Sequence, residues 1–268
     1  MPDHVRSNCS LRRIRSSELL PNPLSVKRIG YTQTKIELKM RVLAFDTETT
    51  GLPTDASLSA YRAPDNWPHI VSISWCIIDS VSNTVVKTHA YIIKPEKWVI
   101  PSESTKIHGV SHAQAIEFGV PLRDAILKFL SEDHDMMVAH NIHFDKNVLI
   151  QAILWDLNIM SFQGFKKPMG CTMVAGRTIC NIPGVRGGFK FPKLAELYTH
   201  VVGTTPKYDY LHNALFDTLY LCEIIQKSPE IRMRLGITIP EQKNEENHAT
   251  GPTKMGGIEV SVSKSTGV

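Results

Sequence analysis

Two segments rich in Val, Ile and Trp, residues 69–78 and 84–93, constrain the fold most, because only five residues separate them. A connection that short joins antiparallel neighbours, so the two segments predict a β-hairpin. An apolar run at residues 42–45 precedes the hairpin and another at residues 136–139 follows it. Both runs have the length of short buried strands. The sequence therefore predicts a sheet built from these four segments.

Apolar residues recur at helical spacing in three further places. A helix opened by Pro121 is predicted over residues 122–130, and a longer one follows the strand at residues 136–139, with Asn141 as its N-cap. A final helix is predicted over residues 211–225. Residues 111–114 read Ser-His-Ala-Gln, which has the spacing of a capping box at another helix start. Strands first, followed by alternating strand and helix, predict an α/β fold in which a mixed β-sheet is flanked by α-helices.

Composition divides the chain into a core and two tails. Residues 1–39 lack a sustained apolar period and predict a flexible basic extension, residues 40–228 the folded domain, and residues 229–268 a mostly disordered tail. The Arg- and Ser-rich start resembles an organellar targeting sequence. However, Asp3 and Glu18 interrupt it and no amphipathic stripe appears, so targeting stays an open alternative.

Charge, cysteine content and hydropathy exclude several classes of protein. Residues 1–41 hold nine basic and three acidic residues, a net charge of +6, so the overall +4 leaves the rest of the chain at −2. Basic charge in the core is therefore not an argument for nucleic-acid binding. Five scattered cysteines without a Cys-x-x-Cys pair argue against a disulfide framework or a zinc site, and we expect an intracellular, most simply cytoplasmic, location. No uncharged apolar run reaches the roughly 18 to 20 residues of a membrane span, so no membrane partner is expected.

Asp46 and Glu48 directly follow the apolar run at residues 42–45. Side chains two apart on a strand point to the same face, so these two carboxylates share one space. They raise each other's pKa unless cations neutralise them, and hard oxygen ligands of this kind suit Mg²⁺ or Mn²⁺. By itself, however, an Asp-x-Glu after a strand is more typical of surface acids.

Two other segments place acids at helix starts. Residues 140–145 read His-Asn-Ile-His-Phe-Asp, which puts Asp145 in the first turn of a helix, where the helix dipole favours a carboxylate. Residues 212–217 read His-Asn-Ala-Leu-Phe-Asp and end in Asp217. Two helical residues five apart lie roughly 140° from each other around the axis, so His212 must lie at the helix entrance to face the same cleft. Taken alone, each segment is also typical of a helix-start acid or a capping histidine.

Together, in this order, the three segments resemble the motifs of the DnaQ-like, or DEDDh, 3′–5′ exonucleases. The resemblance spans about residues 41–226. Residues 107–110, Ile-His-Gly-Val, are similar to the family's His-Gly segment, and residues 193–197, Lys-Leu-Ala-Glu-Leu, to its Lys-Leu-x-x-Leu helix. The resemblance implies a ribonuclease H-like fold.

The resemblance also implies site residues. A histidine five positions before the last acid, instead of a tyrosine four before it, matches the histidine branch of the family, with His212 as the general base. The acids that match the ligands of two divalent cations, Mg²⁺ or Mn²⁺, are Asp46, Glu48, Asp145 and Asp217. The positions that match contacts to the terminal nucleotide are Thr49, Leu52, Ile107 and His108.

A two-metal hydrolysis is then expected. A nucleophile must reach a phosphorus shielded by negative oxygens while charge builds on the leaving 3′ oxygen, and two cations about 3.5 to 4 Å apart meet both demands. We expect Asp46 to bridge the cations, Glu48 and Asp217 to serve the nucleophile side, and Asp145 to hold the other cation. His212 would accept the proton of the attacking water.

The substrate class is left open by the sequence. Single-stranded or frayed 3′ ends of DNA are expected, in proofreading or repair, with a DNA polymerase or repair complex and a second copy of the chain as candidate partners. RNA 3′-end trimming is the alternative, because recognition of the 2′-hydroxyl depends on pocket shape. A non-catalytic nucleic-acid- or polymerase-binding module is the alternative of another class. It would usually have lost an acid or the histidine, and all five are present.

Two further signals allow more than one interpretation. The pairs His108/His112 and His140/His143 have spacings that suit a metal but lack the Glu or Cys partners of a zinc motif. Residues 186–193, Arg-Gly-Gly-Phe-Lys-Phe-Pro-Lys, interleave cations with aromatic rings and suit a nucleic-acid strand. The same pattern fits a Gly-rich loop whose phenylalanines pack inward.

Overall fold

The computed structural model describes residues 39–207 and 211–238. Its sheet has the order β3-β2-β1-β4-β5, with β1 paired antiparallel to β2, β2 antiparallel to β3, and β4 parallel to both β1 and β5. The predicted hairpin is confirmed, as are the strands on either side of it. The fifth strand was not predicted, because three residues are too few to show a pattern. The strands are β1 Arg41–Thr49, β2 Ile70–Asp79, β3 Thr84–Ile92, β4 Met136–Ala139 and β5 Met169–Cys171.

Helices follow the hairpin and alternate with the last two strands. Ser111 caps the second helix as predicted: its hydroxyl accepts from the Gln114 N–H at 3.2 Å, and Gln114 Oε1 accepts from the Ser111 N–H at 2.8 Å. A π-helical turn, Ala152–Asp156, extends the fourth helix. The helices are α1 Ser102–His108, α2 His112–Phe118, α3 Leu122–Leu130, α4 Ile142–Gln151, α5 Thr172–Cys180, α6 Leu194–Val202, α7 Ala214–Lys227 and α8 Pro229–Leu235.

The core lies on both faces of the sheet. Along β1, Phe45 points to the side of α3, where its ring meets the Phe129 ring edge-on at 5.3 Å. Ala44 points to the opposite side, where Leu221 of α7 packs in the other core cluster. Every residue of β2 is buried, as expected of a strand covered on both faces. These two helical layers around a mixed sheet are the predicted α/β architecture.

The chain turns sharply where two of the motif segments meet their helices. Asn141 precedes α4 as predicted, but its side chain does not cap the helix; it adopts φ +77°, and its carbonyl accepts from the Phe144 N–H at 2.9 Å. The last predicted helix starts at Ala214, not at residue 211, and His212 before it has φ +59°. Residues in the left-handed conformation change the direction of the backbone abruptly, and the spacing of apolar residues in the sequence does not indicate where they occur.

The folded domain extends past its predicted end at residue 228. Pro229 opens α8, the Ser228 hydroxyl accepts from the Ile231 N–H at 3.1 Å, and the Ile231 side chain is fully buried. That boundary is therefore too early. The predicted extension up to residue 38 and the predicted tail from residue 239 lie outside the described residues. Within the described ranges, no helix is both long and apolar enough to cross a membrane.

Candidate active site

The acid cluster forms where β1 runs beyond its parallel partner. β4 pairs with β1 only at residues 42–44, so the next part of that strand edge is open. Asp145 of α4 occupies it: the Thr47 N–H and hydroxyl both donate to Asp145 Oδ1, at 3.2 and 2.8 Å. The side chain from the second motif segment is thereby held against the strand that carries the first.

Asp46 and Glu48 lie on one face of β1, on either side of Thr47, and both are half-buried. Their neighbours across the antiparallel pair are Ser74 and Ser72 of β2. Helix α7 crosses close to this position, where the Thr218 hydroxyl donates to the Ser74 carbonyl at 3.3 Å. The residue before Thr218 is Asp217, so this contact brings the third motif segment to the first.

His212 lies outside the helix that carries Asp217. Its backbone N–H donates to Asp217 Oδ2 at 3.1 Å, and its side chain is exposed. Glu48, His212 and Asp217 each offer a ligand atom, and these atoms all lie within 4.8 Å of one another. His212 adopts a left-handed conformation before the helix begins, so it lies beside Asp217. In a fully helical segment the two side chains would point roughly 140° apart around the axis. Asp46 and Asp145 lie outside this 4.8 Å group but next to it, as their electrostatic interactions show.

Burial raises the pKa of all four carboxyls. For Asp46 the pKa lies well above its usual value, with the charges of Asp145, Glu48 and Asp217 adding to the effect of burial. The pKa of Glu48 rises to about 8 through burial and the charges of Asp217 and Asp145. Burial raises the pKa of Asp145 and of Asp217 to about 7, although hydrogen bonds from Thr47 and His212 oppose it. Four neighbouring carboxyls with raised pKa values, two of them buried and two half-buried, favour the binding of positive charge.

The donor set fits a divalent cation. Asp217 Oδ1 is buried and finds no hydrogen-bond partner among the described residues, which is costly for a carboxylate oxygen without a ligand. No salt bridge from a described Lys, Arg or His neutralises any of the four acids. Carboxylate oxygens are the ligands that Mg²⁺ and Mn²⁺ prefer. The cluster therefore has the chemistry of the predicted metal site.

Two of the predicted nucleotide contacts are exposed apolar side chains. Leu52 is 84% exposed and Ile107 is 59% exposed. Their segments are tied together by the Ser104 hydroxyl, which donates to the Thr50 carbonyl at 2.7 Å. Both side chains are therefore accessible to solvent, and their contact with a nucleotide stays a prediction.

The other two predicted contacts are occupied within the protein. The Thr49 hydroxyl donates to the Gly51 carbonyl at 2.7 Å, and His108 is buried, with Nδ1 accepting from the Val110 N–H at 3.1 Å. In this structure these two residues shape the loop and the end of α1.

The histidine pairs have structural partners. His140 uses both ring nitrogens, one with the Thr172 hydroxyl and one with the Pro192 carbonyl, each at 3.0 Å. The zinc alternative thus finds no support at His140.

Thr47 contacts an acid of the candidate site, and the sequence did not predict this contact. Its side chain points away from Asp46 and Glu48, and its bond to Asp145 depends on β4 ending early. A threonine between two acids on a strand gives no signal of such a role.

No protein-family model matches this sequence, and no curated protein sequence does. Solved structures do match. Exonuclease I of E. coli in complex with a dT13 oligonucleotide has a TM-score of 0.53 and 14% identity, over 74% of this chain and 42% of that chain. Exonuclease I from Methylocaldum szegediense has a TM-score of 0.52 and 15% identity, over 74% of this chain and 43% of that one. Exonuclease X in complex with 5′ overhanging duplex DNA has a TM-score of 0.48 and 21% identity, over 74% of this chain and 93% of that chain.

The chain shares the ribonuclease H-like fold of exonuclease I. The predicted fold class is confirmed. The chain spans less than half the length of the exonuclease I chains it matches. Since a fold hosts many activities, the activity is argued from the site.

Proposed function

We propose that this protein is a metal-dependent 3′–5′ exonuclease that hydrolyses phosphodiester bonds at the 3′ end of DNA and releases nucleoside 5′-monophosphates. The observation that carries the proposal is the meeting of Glu48, His212 and Asp217 within 4.8 Å, from two separate segments of the chain. The fold adds support, because the matched E. coli exonuclease I is described in complex with an oligonucleotide. A proofreading or repair setting, with a DNA polymerase as partner, belongs to the same proposal.

Each residue of the cluster has a role that follows from its surroundings. The four acids would hold two divalent cations, which when bound neutralise phosphate charge and acidify a water molecule. Thr47 fixes one oxygen of Asp145, so that carboxylate keeps its orientation. The His212 backbone is tied to Asp217, which keeps the exposed imidazole beside the acids, where it accepts the proton of the attacking water and passes it to solvent.

The test uses matched DNA and RNA single strands labelled at the 5′ end, with Mg²⁺ and with EDTA. We expect a Mg²⁺-dependent ladder that shortens from the 3′ end, with DNA cleaved faster than RNA. Asp46→Asn should abolish the ladder, and Asp124→Asn, an exposed acid on α3, should leave it intact. Faster cleavage of RNA would favour the trimming alternative. A folded, Mg²⁺-loaded protein that cleaves neither strand, or full activity in Asp46→Asn, would contradict the proposal.

A further inference from the structure

The segment between α5 and α6 is strongly basic and folds back on itself. Residues 182–193 contain three Lys or Arg and no Asp or Glu. Within them the Lys190 N–H donates to the Ile182 carbonyl at 2.9 Å, and Gly188 in the turn has φ +66°, a conformation that favours glycine. Residues 182–193 are called the basic hairpin below.

Two phenylalanine rings of the basic hairpin face solvent. Phe189 is 41% exposed and Phe191 is 45% exposed, so the interpretation that these rings pack inward is wrong. Arg177 of α5 contacts both residues: its Nε donates to the Phe189 backbone carbonyl at 2.7 Å, and its guanidinium carbon lies 4.7 Å from the centre of the Phe191 ring. Two exposed aromatic residues, one of them with a cation against its ring, offer apolar surface to a ligand.

Unpaired positive charge flanks the two rings. Arg186 and Lys193 are exposed, and neither makes an ion pair within 4.0 Å with another described residue, although the charge of Lys193 helps to lower the pKa of Glu196. Lys190, between them, is neutralised by Glu196 at 2.6 Å. Two exposed rings flanked by exposed cations suit a polymer that carries both bases and phosphates.

The basic hairpin is attached to the segment that carries an acid of the site. His140, at the end of β4, donates from Nε2 to the Pro192 carbonyl at 3.0 Å. Five residues later the same segment reaches Asp145. This bond ties the hairpin to the segment that leads from β4 to Asp145.

We propose that Phe189 and Phe191 stack unpaired bases of the substrate strand, on the 5′ side of the bond that is cleaved, while Arg186 and Lys193 bind its phosphates. The ligand class is single-stranded nucleic acid, because bases in a duplex are stacked on one another and leave no face for either ring. Stacking on a ring tolerates any base, so the platform holds the strand without reading its sequence. This inference rests on the proposed exonuclease function.

Binding is measured first, without hydrolysis. Fluorescence anisotropy of a 5′-labelled dT12 strand in EDTA compares the full-length wild type with the double variant Phe189→Leu/Phe191→Leu, which keeps apolar bulk but loses the rings. We expect about 30-fold weaker binding, which corresponds to about 2 kcal/mol at 1.4 kcal/mol per tenfold. Leu127→Ala, 49% exposed on α3, is the control and should bind as the wild type does.

The dependence of binding on salt concentration tests the role of Arg186 and Lys193 apart from that of the two rings. Each phosphate contact on a single strand contributes about 0.7 to the slope of log K against log salt. The slope is negative, and the double variant Arg186→Gln/Lys193→Gln should reduce its magnitude by about 1.4. The leucine variant should leave the slope unchanged.

Cleavage then separates this inference from the proposed function. With Mg²⁺, the leucine variant should raise KM for dT12 by about 10- to 30-fold with little change in kcat. Its cleavage of a dinucleotide, which cannot occupy the acid cluster and both rings, should equal that of the wild type. Equal dT12 affinity in the wild type and the leucine variant would overturn the platform even if both are active. A wild type that cleaves no polymer but loses dT12 binding in the leucine variant would overturn the proposed function and support the platform.

Discussion

Replacing Glu48 by Gln should stabilise the metal-free protein at alkaline pH. Burial and the charge of Asp217 raise the pKa of the Glu48 carboxyl from 4.5 to about 8. Unfolding returns the carboxyl to its ordinary value, so between about pH 4.5 and pH 8 the native state keeps a proton that the unfolded state has lost. The free energy of unfolding therefore falls as pH rises through this window and stays low above it. The amide that Glu48→Gln introduces cannot ionise, so the variant does not lose this part of its stability as pH rises.

The size of the effect follows from the pKa difference. The rise in the pKa of Glu48 from 4.5 to about 8 is a difference of about 3.5. At 1.36 kcal/mol for each pKa unit, it corresponds to about 5 kcal/mol in the free energy of unfolding. This is a ceiling, because the Glu48 side chain is only half-buried and solvent screens the charges that act on it. We expect Glu48→Gln to gain about 2 kcal/mol at pH 8.5 and less than about 0.5 kcal/mol at pH 4.5.

Urea unfolding in EDTA at pH 4.5, 6.5 and 8.5 measures this difference. Glu117→Gln, an exposed glutamate on α2, is the control and should show no pH-dependent gain. Mg²⁺ at pH 8.5 should stabilise the wild type more than Glu48→Gln, because a cation that binds only the native state adds to stability and the variant lacks one ligand. A gain that is the same at all three pH values, or equal stabilisation of both proteins by Mg²⁺, would refute the reasoning.

Three further predictions concern other parts of the domain. If His212 is the general base, His212→Ala should lower kcat by about 100-fold or more while Mg²⁺ affinity, measured by calorimetry, is retained; a kcat within about threefold of the wild type would exclude the role. Thr47→Val removes the hydroxyl that orients Asp145, and we expect Mg²⁺ affinity, measured by calorimetry, to fall about tenfold with the fold retained; unchanged affinity would show that the bond is dispensable. Ile231→Ala should cost about 2 to 5 kcal/mol in urea unfolding, because the side chain is fully buried, and a cost below about 0.5 kcal/mol would mean that α8 is not part of the cooperative domain.

Local patterns predicted most of the elements that build the site. Val, Ile and Trp content located β2 and β3, helical spacing located α3 and α4, and the Asp-x-Glu after an apolar run placed two carboxylates on one face of β1. These features depend on residues within a few positions of each other, so one sequence is enough to read them. Four elements escaped prediction, namely α1, β5, α5 and α8. The last three are stabilised by contacts with distant parts of the chain.

The amino-acid sequence by itself determined which five residues could do the chemistry and the α/β class that carries them. Only the tertiary structure decided how they meet. β4 ends early enough for Asp145 to bind Thr47, and His212 leaves the helix to reach Glu48 and Asp217. The raised pKa values are likewise a tertiary property, because they arise from burial and from charges that lie up to 171 positions apart in the chain, between Asp46 and Asp217. Periodicity records local geometry, whereas strand length, left-handed turns and desolvation depend on neighbours that only the folded chain brings together.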